Sequence, residues 1–318
     1  MTNNKIKIVY FATPSIALST LDYLFSKDDI SVEAIVTQPD RPSGRGHKII
    51  QSPIKEFAIS HNIEVLQPEK IRTDETCINR LKQINPDFFV TFAFGQILSQ
   101  EVLDIPKNST INLHGSLLPK YRGANPIFRA LLEGEKETGA TTMRTDAGLD
   151  SGDICMVEKI SISDDMNAFE LVEKFEQISP ELMYKTLKSL YRGTLVPIVQ
   201  DHSLATIAKK FNKEDGIIDW KNCAQYIHNQ IRAMLIFPVA MTFFKGKSIK
   251  ILEAKNIENE TSHDNASEIC AITKNGIEVF TGQGKLLIKT VKPEGKGKMD
   301  AYAWSNGVNL KIGERFGE

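Results

Sequence analysis

Four cysteines are spread over 318 residues, at Cys77, Cys155, Cys223 and Cys270. No Cys-x-x-Cys or Cys/His pair has metal-ligand spacing, which argues against a zinc site. So few thiols in so long a chain make no disulfide scaffold either. Long apolar runs are also missing. The longest candidate, 233–244, falls short of the ~20 residues of a membrane span and contains Pro238. The first strand-like run starts at Ile6, with no secretory or transit pattern ahead of it. The expectation is a cytoplasmic protein without a membrane partner. An excess of one charge is absent as well. The net charge of −1 excludes a chain that coats nucleic acid with bulk positive charge, but it allows a local basic patch. Two nucleotide signatures are lacking. The first strand–helix turn, Phe11-Ala-Thr-Pro14, has no Gly-x-Gly-x-x-Gly, which sets aside a dinucleotide-dependent dehydrogenase. Nor does a phosphate-cradling Gly-Lys-Ser/Thr loop follow any strand.

What is present is a strict alternation of short apolar runs and helical patterns. Residues 6–11, 32–36, 87–92 and 110–114 read as strands; 6–11 is of the buried kind, and 87–92 lacks polar alternation, as expected when both faces are covered. Residues 14–25, 52–60 and 75–84 read as helices, and Asn167 with Glu170 forms a capping box for a long helix running toward Tyr191. Alternating strands and helices predict an α/β fold with a Rossmann-like, doubly wound, mostly parallel sheet. After Pro238 the pattern changes to five short strands separated by Gly-containing turns, which predicts a small OB-like β-barrel domain. The expected organisation is a catalytic domain over 1–191, a linker over 192–208 and a β-domain over 209–318.

The chemistry concentrates in two stretches. Asn112 and His114 are two residues apart in a predicted strand, so alternation puts both on one face near its carboxyl end. A carboxamide beside an imidazole suits acyl transfer: the amide stabilises a developing oxyanion and the imidazole moves protons near neutral pH. The same pair, taken alone, also fits a satisfied polar contact at a strand end. Leu117, Leu118 and Pro119 then add apolar surface in a shaped, Pro- and Gly-containing loop that suits a flat heteroaromatic ligand. The second stretch holds Asp146, Asp150 and Asp153 among glycines. These carboxylates could bind a metal or cap their own turns, or one could orient His114.

Asn112-x-His114, the segment Ser116-Leu-Leu-Pro119 with Arg122-Gly123 and Pro126, and Gly148-Leu-Asp150-Ser-Gly-Asp153 together resemble the folate-dependent formyltransferases. The resemblance covers nearly the whole chain. It includes the loop Gln38-Pro-Asp-Arg-Pro-Ser-Gly-Arg-Gly46 and the terminal β-domain, which mark the tRNA-acting branch of that family. The resemblance implies Asn112, His114 and Asp150 as the catalytic set and Ser116, Leu117, Leu118 and Pro119 as the folate-binding segment. It implies 10-formyltetrahydrofolate as the formyl donor, with no metal. The acceptor it implies is the α-amino group of methionine esterified to initiator tRNA, formylated for translation initiation.

Two cationic stretches could hold a tRNA despite the neutral total. One is the loop bearing Arg41, Arg45 and Lys48, with Arg45 implied at the acceptor arm. The other is the tail bearing Lys292, Lys296 and Lys298 beside Lys285 and Lys289. Nothing in the sequence requires more than a monomer. The alternatives are a formyltransferase acting on a small amine, which needs neither the Arg45 loop nor the β-domain, and a non-catalytic RNA-binding module.

Overall fold

The computed structural model describes residues 5–43 and 48–317. They form two compact units. One comprises Met1–Pro126, Gly139–Ile160 and Val172–Ile207, and the other Ile127–Thr138, Ser161–Leu171 and Ala208–Glu318. The boundary at Ile207 lies inside the 192–208 stretch read as a linker.

The first unit is built on strands β1 (Ile6–Ala12), β2 (Ile30–Val36), β3 (Glu64–Leu66), β4 (Phe88–Phe92), β5 (Ser109–His114), β6 (Glu137–Arg144) and β7 (Ile154–Ser161). Helices α1 (Leu18–Phe25), α2 (Pro53–Ser60) and α3 (Glu75–Ile84) connect the early strands. The sheet order is β7-β6-β5-β4-β1-β2-β3. β1 pairs parallel with β2 and β4, β2 with β3 and β4 with β5, while β6 runs antiparallel to β5. All five residues of β4 are buried, the burial expected of a parallel strand covered on both faces. Phe11 packs on Phe89 and Phe94 with ring centroids 4.8 and 5.4 Å apart. Ser52 caps α2 by accepting the Lys55 N–H, and Asp74 caps α3 by accepting that of Cys77. The chain leaves β1 toward β2 and β3, then returns to the other side of β1 as β4. The topological switch point therefore lies between β1 and β4, and open α/β sheets bind ligands at the carboxyl ends of strands there.

In the second unit, helix α4 (Ala224–Ala233) precedes the antiparallel strands β8 (Met241–Phe244), β9 (Lys247–Ser262), β10 (Ile269–Thr273), β11 (Gly276–Phe280) and β12 (Gln283–Pro293). Their path is β8-β9-β12-β11-β10, open among the described pairings, with β13 (Met299–Asp300) added to β12. β9, sixteen residues long, far exceeds the short strands expected from the sequence. It carries four register irregularities against β12, and such bulges interrupt the period-2 pattern by which a strand is recognised. Helix α5 (Ala301–Gly307), capped by the Asp300 carboxylate, is a further element that the periodicity does not announce. Trp220, Phe244, Trp304 and Phe316 form the aromatic centre of this unit's core. The buried Arg232 guanidinium donates to the carbonyls of Ser163 (3.1 Å), Met166 (2.9 Å) and Leu131 (3.5 Å) and to Asn229 Oδ1 (3.0 Å). That one side chain ties two segments from earlier in the chain to this unit. Among the described residues, no helix is long and apolar enough to cross a membrane.

Candidate active site

β5 delivers Asn112 and His114 at its carboxyl end, and the loop after β6 brings Asp150 to both. Asn112 Nδ2 lies 3.5 Å from Asp150 Oδ1, and His114 Nδ1 lies 3.6 Å from Asp150 Oδ2. The three residues implied as catalytic therefore meet on one carboxylate. Neighbouring groups fix each of them. Thr91 Oγ1, on adjacent β4, donates to Asn112 Oδ1 at 2.9 Å. That bond sets the amide plane and leaves the Nδ2 hydrogens directed to the Asp150 side. His114 Nε2 is 2.8 Å from the Tyr121 carbonyl. A carbonyl only accepts, so Nε2 carries a hydrogen, and in the neutral imidazole Nδ1 is a bare acceptor facing the carboxylate. A proton taken up at Nδ1 would be directed at Asp150. The Gly123 N–H donates to Asp150 Oδ2 at 2.8 Å and orients the carboxylate.

The backbone around the site is bent. Tyr121 has φ +60°, Gly123 φ +108° and Asp150 φ +47°. Left-handed residues of this kind persist where surrounding bonds over-determine them, and they cluster at functional sites. Asp146 spends its carboxylate on its own loop, accepting from the Gly148 N–H and the Ser151 hydroxyl. Gly152 cannot be replaced without a shift, because a Cβ there would lie 1.9 Å from the Arg144 carbonyl oxygen. Among the described residues no group of three or more His, Cys, Asp or Glu is placed to hold a metal ion.

The segment Ser116 to Pro119 wraps beside the site. Ser116 is fully buried, with its hydroxyl donating to the Lys120 carbonyl and its own carbonyl accepting from Thr141 Oγ1. Leu118 is buried, while Leu117 and Pro119 stay half-exposed and provide the segment's apolar surface. The Cys155 thiol, on β7, is pushed up to about 11 by burial, so it stays protonated at neutral pH.

The cationic residues fall into two places. Arg41 opens a small hairpin in which it pairs with Ile50 and Ser43 pairs with Lys48, and its guanidinium reaches Glu69 at 2.7 Å on the surface. Arg45 lies outside the described residues. Lys292, Lys296 and Lys298 are all exposed in the second unit, whereas Lys289 is engaged by Glu253 at 2.9 Å. Lys292 stands directly across the ladder from Lys250, an exposed cation on β9 that no sequence pattern singles out.

A doubly wound sheet with a carboxamide, an imidazole and a carboxylate gathered at a strand's carboxyl end defines an α/β protein with a polar site at the end of β5, beside β4. More narrowly, the chain belongs to the formyl transferase family: the Formyl transferase domain matches residues 5–187, and the Formyl transferase C-terminal domain matches 210–309. It is 42 % identical over 313 residues to the methionyl-tRNA formyltransferase of Acetivibrio thermocellus, covering 98 % of this chain and 100 % of that protein. It is 41 % identical to the enzyme of that name from Geobacter sulfurreducens, covering 98 % of this chain and 97 % of that one. The crystal structure of a sugar 3N-formyl transferase, determined in the presence of dTDP and 5-N-formyl-THF, shares the fold. Its TM-score is 0.65 and its identity 20 %, with 92 % of this chain and 100 % of that chain covered.

Proposed function

We propose that the protein transfers the formyl group of 10-formyltetrahydrofolate to the free amino group of methionyl initiator tRNA, giving N-formylmethionyl-tRNA for translation initiation. The observation that carries this reading is the joint presence of Asn112, His114 and Asp150 on one carboxylate in a chain about 40 % identical, end to end, to proteins of that name. The neutral methionyl amine attacks the formyl carbon. Asn112 Nδ2 donates to the oxyanion of the tetrahedral intermediate. The amine then loses a proton, for which His114 Nδ1 is placed to act as acceptor with Asp150 stabilising the imidazolium. Breaking the carbon–N10 bond returns a proton to the departing folate nitrogen, so protons balance with no metal. The half-exposed Leu117 and Pro119 offer the folate ring an apolar wall, with Ser116 and Leu118 shaping the turn behind them. Arg41, Arg45 and Lys48 on one unit, and Lys292, Lys296 and Lys298 on the other, supply the tRNA phosphate contacts. The protein acts as a cytoplasmic monomer.

The test is to incubate the full chain with 10-formyltetrahydrofolate and methionyl initiator tRNA, hydrolyse the ester and weigh the released amino acid. N-formylmethionine is expected. Unmodified methionine, alongside formylation of a nucleotide-linked amino sugar, would reject the tRNA acceptor and favour the small-amine alternative.

A further inference from the structure

We propose that Gln200 is a positioning residue for Asp150, acting through the backbone of the loop that carries it. The proposal rests on the reading of Asn112, His114 and Asp150 as the transfer site. Gln200 lies in a stretch without periodicity in the sequence, yet it is only 4 % exposed. Its Nε2 donates to the carbonyl of Asp150 at 2.9 Å and to that of Gly152 at 2.6 Å. Its Oε1 accepts from Arg122, at 3.1 Å from Nε and 2.6 Å from Nη2. Arg122 is 7 % exposed, and its guanidinium can only donate, so the oxygen of the Gln200 amide must face it and the nitrogen must face the two carbonyls. Both amide hydrogens are therefore spent on the carbonyls of Asp150 and Gly152, just after the left-handed Asp150.

The second end of the same connection reaches the other two fixing bonds of the site. Arg122 sits between Tyr121, whose carbonyl holds His114, and Gly123, whose N–H holds Asp150 Oδ2. The Arg122 N–H donates to the Thr206 carbonyl at 2.8 Å, and Thr206 Oγ1 accepts from the Tyr121 N–H at 2.8 Å. Residues 200–206 thus hold the turn at 121–123 and the loop at 150–152 in one register. A connected polar network with Gln200 and Arg122 buried at its centre specifies geometry, because partners give up bonds if one member moves. The carboxylate touches His114 and Asn112 at 3.5–3.6 Å, a spacing that a small shift of its loop would break.

Single-turnover formyl transfer should be measured for the full-length wild type, Gln200→Ala, Asp150→Asn and the double variant, with KM for each substrate. Gln200→Ala is expected to lower kcat by about 10²-fold, the loss typical of an ångström-scale misplacement, with both KM values within about threefold of wild type. In the Asp150→Asn background the same change should add less than about twofold, because a residue acting through Asp150 has nothing left to position. Gln200→Glu, which can still pair with Arg122 but sets an oxygen against two carbonyls, should fail like Gln200→Ala. If Gln200→Ala is not recovered folded, Gln200→Met carries the same expectations. A wild-type kcat in Gln200→Ala or Gln200→Glu, or effects that multiply in the double variant, would overturn the positioning role alone. A wild-type rate in Asp150→Asn would overturn the site assignment beneath it.

Discussion

The two units solve different problems with the same chain. The first gathers its candidate site residues from a strand end and a loop and holds them with hydrogen bonds from neighbouring side chains and backbone. Thr91 fixes Asn112, the Tyr121 carbonyl fixes His114, and the Gly123 N–H fixes Asp150. The second has an apolar and aromatic core inside an antiparallel sheet and displays its cations on the outside. In the first, a small change of position should abolish function without unfolding the protein. In the second, removal of core volume should unfold the protein, and a change of surface charge should weaken binding by degrees.

That contrast can be broken by experiment. The largest effect is expected for Asn112→Ala, which removes the proposed oxyanion donor. Its kcat should fall by roughly 10²–10³-fold, with the melting temperature within a few degrees of wild type. A comparable drop in Tm would mean that Asn112 is structural. Next comes Trp304→Ala. Trp304 packs against Phe244 at 5.7 Å and Phe316 at 6.2 Å between ring centroids, and its removal should destabilise by about 3–5 kcal/mol in a denaturant titration. Under conditions where the variant is still folded, its kcat per folded molecule should be unchanged.

A gentler effect is expected from paired cations. Lys250→Gln with Lys292→Gln should weaken tRNA binding while folate binding stays constant. The slope of log affinity against log salt should become shallower by roughly one unit for each phosphate the protein no longer neutralises. An unaltered salt slope would remove this face from the tRNA interface.

The smallest effect concerns acid. Burial, and then the neighbouring Arg232 charge, hold His228 below the usual imidazole range. A group with a depressed folded value takes up its proton more readily when unfolded, so stability is full above pH ~6.5 and declines as the pH falls below it. The Tm should therefore drop between pH 7.5 and 5.5, and drop less in His228→Gln.

Much of this contrast is visible in the sequence. β1, α3 and β5 follow from their apolar periodicity. Asn112 and His114 follow from two-residue spacing in a strand, and Asp150 follows once the motif is matched as a whole. What is not legible has common physical causes. Strand β9 hides because bulges break its alternation, and α5 because only Asp300 and a short Ala/Trp run announce it. Thr91, Gln200 and Lys250 escape notice because their roles come from partners distant in sequence. Thr91 reaches Asn112 across neighbouring strands, Gln200 reaches Asp150 from fifty residues away, and Lys250 is set beside Lys292 by register.

The proposed transfer chemistry converges on one carboxylate. Asp150→Asn should be compared with wild type for formyl transfer to methionyl initiator tRNA and, in parallel, for equilibrium binding of tRNA and of folate. Transfer is expected to fall by at least about 10²-fold while both affinities stay within about threefold. Transfer at the wild-type rate, or a fall in rate matched by an equal fall in tRNA affinity, would contradict the proposed role of Asp150 in transfer rather than in binding.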